Sequence, residues 1–173
     1  LNISVGACSK RGMSENSALV KGVNRAWDAG LVVVVAAGNN GPRTMSITTP
    51  GISRKVITVG CSDDDREVLD GGCRMVDYSG RGPTAACICK PDLVAPGCSV
   101  VSCSSRADKY TIKSGTSMST PIVSGAVALL LERFPDMSNK DVKLRLRESS
   151  VDIGLPRNQQ GWGLLDVGKM IGK

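Results

Sequence analysis

A chain of 173 residues with 41% hydrophobic and 22% charged residues has the length and composition of one globular domain with a sizeable core, which excludes a disordered polymer. Its net charge is +6, but Lys and Arg are interleaved with Asp and Glu and no basic stripe carries stacking aromatics, so nucleic acid is not the expected partner. No apolar run reaches membrane-spanning length.

The elements follow in chain order. Asn2 to Val5 is a predicted strand that ends at Gly6. Ser14-Glu15-Asn16-Ser17 offers a helix start, and Leu19, Val20, Val23, Ala26 and Trp27 recur at helical spacing before Gly30, a C-cap residue. Leu31 to Ala37 is apolar without alternation, the pattern of a parallel strand buried on both faces, so strand, helix and strand make a right-handed βαβ unit. A further strand covers Val56 to Gly60. The stretch from Ser62 to Gly72 is polar and glycine-containing and is expected to be an exposed connection. Its Asp63-Asp64-Asp65 run offers carboxylates to a calcium ion, but three adjacent side chains converge only across a turn, and a solvated run is the expectation.

Asp92 to Ala95 is a short apolar strand closed by Pro96-Gly97, and Val100–Ser102 with Tyr110–Lys113 suits a hairpin. The helix expected from Ser117 to Arg133 carries Val123, Ala126, Val127, Leu130 and Leu131. With Gly125 and Ala128 it is apolar nearly all round, as for a helix passing through the core. Phe134-Pro135 ends it. Ser138-Asn139-Lys140-Asp141 reads as a capping box for a more polar helix with Val142 and Leu146 inward, and a last short helix covers Asp166 to Ile171. No internal repeat, linker or second domain is visible. Trp27 and Trp162 read as packing residues.

The seven cysteines are odd in number and show no paired C-x-x-C spacing, so a zinc site has no support and mostly reduced thiols are expected. That usage leans towards a reducing, cytoplasmic compartment, although Cys61 and Cys73 could bridge a loop. Leu1 to Val5 has no basic n-region of a signal peptide, and the chain opens in a strand pattern without an initiator methionine, as if cut from a longer protein.

Three segments carry chemistry. Gly115-Thr116-Ser117-Met118-Ser119-Thr120-Pro121 leads into the long helix and presents Ser117 at its first turn, where unpaired N–H groups and the helix dipole favour a developing oxyanion. Pro121 is expected at an early helical position. Ala36-Ala37-Gly38-Asn39-Asn40-Gly41 follows a buried parallel strand, at the end where α/β sheets place ligands. Lys90-Pro91-Asp92-Leu93-Val94-Ala95-Pro96-Gly97 precedes the hairpin. Taken singly, Asn39 is also a turn residue and Ser117 a helix cap. The chain holds no histidine, the usual base for a nucleophilic serine. Lys113, four residues before Ser117, is the alternative base, but it ends a strand with nothing to desolvate it.

In order and wording these segments closely resemble the subtilisin-like serine proteases, the subtilases, from Ile3-Ser4-Val5-Gly6 to Trp162-Gly163. The resemblance implies an α/β fold of three layers, a mostly parallel sheet flanked by helices. It implies that Ser117 is the acyl-transfer nucleophile and that Asn39 is the side-chain oxyanion donor beside the Ser117 N–H. Ser4, Val5 and Gly6 match the edge that pairs with an extended peptide, and Ala36, Ala37 and Gly38 match the floor and wall of the primary specificity pocket. Ile122 stands where many members carry a histidine that is not the catalytic base.

The motifs of the catalytic Asp and His are absent, and in this family both precede the point where this sequence starts. Residues 1–173 are therefore expected to be the C-terminal portion of a subtilase catalytic domain, inactive alone, with its N-terminal strands missing and a D-[ST]-G and an H-G-x-x-x-A segment upstream. The partners expected are a polypeptide substrate, the N-terminal half of the same domain and, through the sheet edge at Asn2–Val5, a second copy. A peptide-binding pseudoprotease domain is the alternative, and secretion of a longer parent is compatible with the resemblance.

Overall fold

A computed structural model describes residues 1–7, 16–70, 73–105 and 109–172. The elements run β1 (Asn2–Ile3), α1 (Ala18–Asp28), β2 (Val34–Ala36), β3 (Ile57–Cys61), β4 (Val68–Asp70), β5 (Cys73–Met75), β6 (Leu93–Ala95), β7 (Val100–Cys103), β8 (Tyr110–Lys113), α2 (Thr116–Arg133), α3 (Asn139–Ser149), α4 (Arg157–Gln160) and α5 (Val167–Ile171). A four-stranded parallel sheet in the order β1-β2-β3-β6 forms the centre, with Val34 opposite Ile57 and Val59 opposite Leu93. Helices flank it, giving the α/β architecture the sequence implied. Every residue of β2, β3 and β6 is buried, which explains runs of Val, Ile and Ala with no polar alternation.

Helix α1 is capped by Ser17, whose hydroxyl accepts the Val20 N–H at 3.3 Å, and it turns Val20, Val23 and Trp27 inward. Ser14 and Glu15 of the expected helix start lie outside the described residues. Helix α3 has the full capping box at Ser138 and Asp141, and Val142 and Leu146 are buried as expected. One cluster joins Trp27, Val33, Val35, Ile57, Val59, Leu93, Val123, Leu130, Leu146 and Met170, with Trp162 and Ile122 packed against it.

Four expectations need correction. The strand expected at Asn2–Val5 holds strand pairing only at Asn2–Ile3, because β2 offers it partners only at Val34 and Val35. Helix α2 is buried on one face rather than all round: Val123, Ala126, Val127 and Leu130 meet the sheet, while Pro121, Gly125, Ala128 and Leu129 stay exposed. Pro121 lies inside α2 rather than in its first turn, because the helix already starts at Thr116, so the carbonyl of Ser117 lacks the N–H that residue 121 would have donated.

The stretch expected as an exposed connection, Ser62 to Gly72, instead carries β4, which pairs antiparallel with β5 just beyond it, and its acidic run is only partly solvated. Asp64 is buried and accepts the Ser79 N–H at 2.7 Å; burial pushes its carboxyl up against that bond. Asp63 accepts the N–H groups of Gly97 at 2.7 Å and Cys98 at 3.1 Å. Both carboxylates thus pair with backbone donors instead of converging on a cation, and no metal-binding cluster of His, Cys, Asp or Glu occurs among the described residues. Cys61 is a buried free thiol, and the side chain of Cys73, its candidate bridge partner, lies outside what is described.

Candidate active site

The central sheet delivers the site at the carboxyl ends of β2 and β6. β2 runs out through Ala37 into Gly38 and Asn39. β6 runs into Pro96-Gly97, whose carbonyl accepts the Gly115 N–H at 2.9 Å and so fixes the loop before α2. Asp63, holding the Gly97 N–H, ties the β3–β4 connection to the same point.

Asn39 and the serine loop meet. Gly115 has φ of +136°, a left-handed-side conformation that favours glycine, and a Cβ there would sit 2.8 Å from the Asn39 Nδ2. The Asn39 Oδ1 accepts both the N–H and the Oγ1–H of Thr116, each at 3.0 Å, and the Thr116 Oγ1 accepts the Gly38 N–H at 3.1 Å. The Thr116 N–H can only donate, and its hydroxyl, whose oxygen accepts from Gly38, has its proton to give to the same Asn39 atom. The atom facing both is therefore the amide oxygen, and the NH2 is the outward end. Thr116 thus fixes the orientation of the Asn39 amide. Sequence reading passed over this fully buried threonine because its role depends on a loop 77 residues away.

Ser117 follows at the second position of α2, where its N–H has no carbonyl four residues back inside the helix. Its hydroxyl is half-buried and donates to the Ser4 carbonyl at 3.0 Å. Ser117, Asn39 and Ser4 are thereby brought to one place. Val5 beside them is 70% exposed, as an edge open to a further extended chain would be.

The pocket residues divide. Ala36 and Ala37 are fully buried, and the carbonyl of Ala37 accepts the Thr48 N–H at 2.9 Å. Gly6 and Gly38 line a slot, and a Cβ added to either would overlap the side chain of Thr48. Thr48 is 3% exposed, its hydroxyl donates to the Ala37 carbonyl at 3.3 Å, and its side chain packs against both glycines. No motif marks Thr48; the only hint was two glycines placed where a third side chain must enter.

Two buried polar clusters lie along β3 and β6, the first at their amino ends and the second at their carboxyl ends. Lys90, 1% exposed, donates to the Asp92 Oδ2 at 2.5 Å and to the Val56 carbonyl at 3.0 Å, while Lys143 stands 3.5 Å from the other Asp92 oxygen and above the rings of Trp27 and Trp162. Burial pulls the Lys90 ammonium down to about 8, against the opposing pull of Asp92. Cys61 contacts the Tyr78 hydroxyl at 3.3 Å and donates to Asp63 at 3.1 Å, and burial pushes its thiol up to about 12. Lys113 is exposed at the end of β8.

The model of the subtilase family, Peptidase S8, matches residues 1–163. The chain is 42% identical over 145 residues to serine protease AprX of Bacillus subtilis (strain 168), a match covering 76% of this chain and 33% of that protein. It is 33% identical over 138 residues to the halolysin-like extracellular serine protease Nep of Natrialba magadii, covering 80% of this chain and 23% of that protein. Among solved structures, sphericase superposes with a TM-score of 0.77 at 30% identity, covering 96% of this chain and 56% of that one. The chain thus spans a quarter to a third of the length of these two curated relatives.

Proposed function

Because the chain belongs to the subtilase family, we propose that it is the C-terminal part of a serine endopeptidase catalytic domain that cleaves polypeptides through an acyl-enzyme at Ser117. The observation that carries this reading is the hydrogen-bonded unit joining Asn39, Thr116 and Gly38 beside Ser117. An amide whose oxygen is held in this way turns its NH2 away from Thr116, which supports the reading that it donates, without reorganisation, to the charge a carbonyl attacked by Ser117 would develop.

The step balances as acyl transfer. The Ser117 Oγ bonds to the scissile carbonyl carbon and its proton passes to a base. The tetrahedral oxyanion is held by the Asn39 NH2 and the Ser117 N–H, then the C–N bond breaks and the base protonates the leaving amine. Water repeats the sequence on the ester. The sequence lacks histidine, so the base and its carboxylate partner come from a preceding part of a longer chain. Until that part is present the hydroxyl rests on the Ser4 carbonyl, and residues 1–173 alone are inactive. The same part would cover the exposed face of α2 and the groove of about 480 Å³ lined by Leu1, Leu31, Val32, Val127 and Leu131. Left uncovered, that apolar edge favours self-association.

The substrate is read as an extended strand added beside Ser4–Gly6, its side chain before the scissile bond entering the slot that Thr48 narrows. Small side chains fit there best. The similarity to a relative named extracellular supports a secreted parent, whereas the cysteine-based lean to the cytoplasm gains no support.

A fluorophosphonate probe on the longer protein tests the reading. Labelling of Ser117, lost in Ser117→Ala, is the expected result. An unlabelled protein that still binds extended peptides would overturn it in favour of a pseudoprotease.

A further inference from the structure

We propose that the polar face of the β7–β8 hairpin is a cradle for an acidic substrate side chain just beyond the scissile bond, with Lys109 and Lys113 as the specificity-determining residues. The inference rests on the reading of Ser117 as the nucleophile and adds to it the charge of the leaving-group side.

Strand pairing sorts the side chains. Val100 lies opposite Lys113 and Ser102 opposite Thr111, so these four share one face of the hairpin. Lys109 precedes Thr111 by two residues, and its carbonyl accepts the Ser104 N–H at 2.9 Å, continuing the ladder and the same face. The alternate residues, Val101 and Ile112, point to the other face and are exposed. That face, together with Cys103, Tyr110, Ser104, Ser105 and Met118, lines a pocket of about 570 Å³. Met118, the residue after the nucleophile, lines it, so the pocket abuts the first turn of α2 that carries Ser117.

Its position fixes which part of a substrate it meets. The acyl portion is read as lying along Ser4–Gly6, whose Ser4 carbonyl holds the Ser117 hydroxyl. The Met118 side is what remains for the chain that leaves as the amine.

The chemistry of the lining is one-sided. Among the described residues the pocket holds two lysines and several hydroxyls but no carboxylate, and neither Lys109 nor Lys113 forms an ion pair with a described acid. Both ammonium groups are exposed, so they cost nothing to keep charged, and the hydroxyls of Ser102 and Thr111 can donate to the same anion. A carboxylate about 4 Å from one such ammonium gains roughly fivefold in equilibrium terms, even in water. A lysine of the substrate would meet like charge and lose a similar factor.

The test uses the longer protein and peptides identical before the scissile bond, with Asp or Lys at the first and second residues after it. At low ionic strength the Asp peptides are expected to show kcat/KM about five- to twentyfold higher. The ratio should fall towards one in ~0.5 M salt, where exposed charges are screened. It should invert in Lys109→Glu/Lys113→Glu. A ratio near one in the unaltered protein, or one that survives the double charge reversal, would overturn the cradle. The nucleophile is judged apart, by fluorophosphonate labelling of the same preparation. If Ser117 is unlabelled, anisotropy of the same peptides on the Ser117→Ala protein reads the charge ratio as binding, and the same two outcomes decide.

Discussion

The substitution Asp92→Asn removes one buried charge at the amino end of β6. The Asp92 Oδ2 accepts from Lys90 Nζ at 2.5 Å and from the Thr58 N–H at 2.7 Å, so an asparagine can place its amide oxygen there and keep both bonds while losing the charge. Lys90 is fully buried and its ammonium is already pulled down from 10.5 to about 8. In the native protein below pH 8, this displacement costs about 3 kcal/mol relative to the unfolded chain. Without the Asp92 charge Lys90 is expected to stay neutral, which costs about 1.4 kcal/mol for every pH unit below 10.5: about 5 kcal/mol at pH 7 and about 6 at pH 6.

The difference is what an experiment reads. Through Lys90, Asp92→Asn should add a destabilisation of about 1–2 kcal/mol near pH 7, about 3 near pH 6 and almost nothing above pH 8, where only the lost pairing of Asp92 with Lys143 remains. The sign follows from proton counting. The unfolded lysine binds its proton up to 10.5 and the folded one loses it earlier, so stability rises with pH wherever only the unfolded state is charged. Urea titrations followed by the fluorescence of Trp27, buried in the neighbouring core, measure it at three pH values. A penalty that is the same at all three, or below about 0.5 kcal/mol near pH 6, would refute the reasoning, since pairing with Asp92 would then not set the charge of Lys90.

Three further substitutions probe other parts of the account. Cys61→Ala should flatten an alkaline loss of stability: the folded thiol, raised to about 12 by burial, stabilises fully below the unfolded value of 9.0, and that contribution is lost as pH rises to 12, as alkaline urea titrations would show. Thr48→Gly should open the slot between Gly6 and Gly38, raising the kcat/KM ratio of Phe to Ala before the scissile bond by at least about tenfold in the longer protein; an unchanged ratio would remove Thr48 from the pocket. Thr116→Val keeps the shape but frees the Asn39 oxygen from one donor and leaves the Gly38 N–H without its acceptor. It should lower kcat by about tenfold with little change in KM, and equal losses in binding and turnover would argue against a positioning role.

What the sequence made legible was local or repeated. The apolar run from Leu31 to Ala37 needs no partner to be recognised as a buried strand, although only Val34–Ala36 is paired along it. The Ser138–Asp141 cap is a four-residue pattern, and it formed as written. Ser117 and Asn39 were singled out because their glycine-bearing segments occur in the order and wording of the resemblance, and the fold brings those segments together. What stayed hidden was decided by contacts distant in the chain. Asp63 and Asp64 look like a solvated run until Gly97 and Ser79 present backbone N–H groups to them. Lys90 looks like a surface residue until Asp92 and Val56 enclose it. The exposed face of α2 shows a different limit. Periodicity reports that a side is apolar, and only the fold shows whether anything covers it.

The central claim is that Asn39 and Ser117 act as one unit on the charge of the transition state. Steady-state kinetics of Asn39→Ala in the longer protein test it most directly. Turnover is expected to fall by about two to three powers of ten with KM nearly unchanged, because the amide donates to the oxyanion and not to the ground-state substrate. A variant whose KM rises while kcat holds would place Asn39 in substrate binding and contradict the claim.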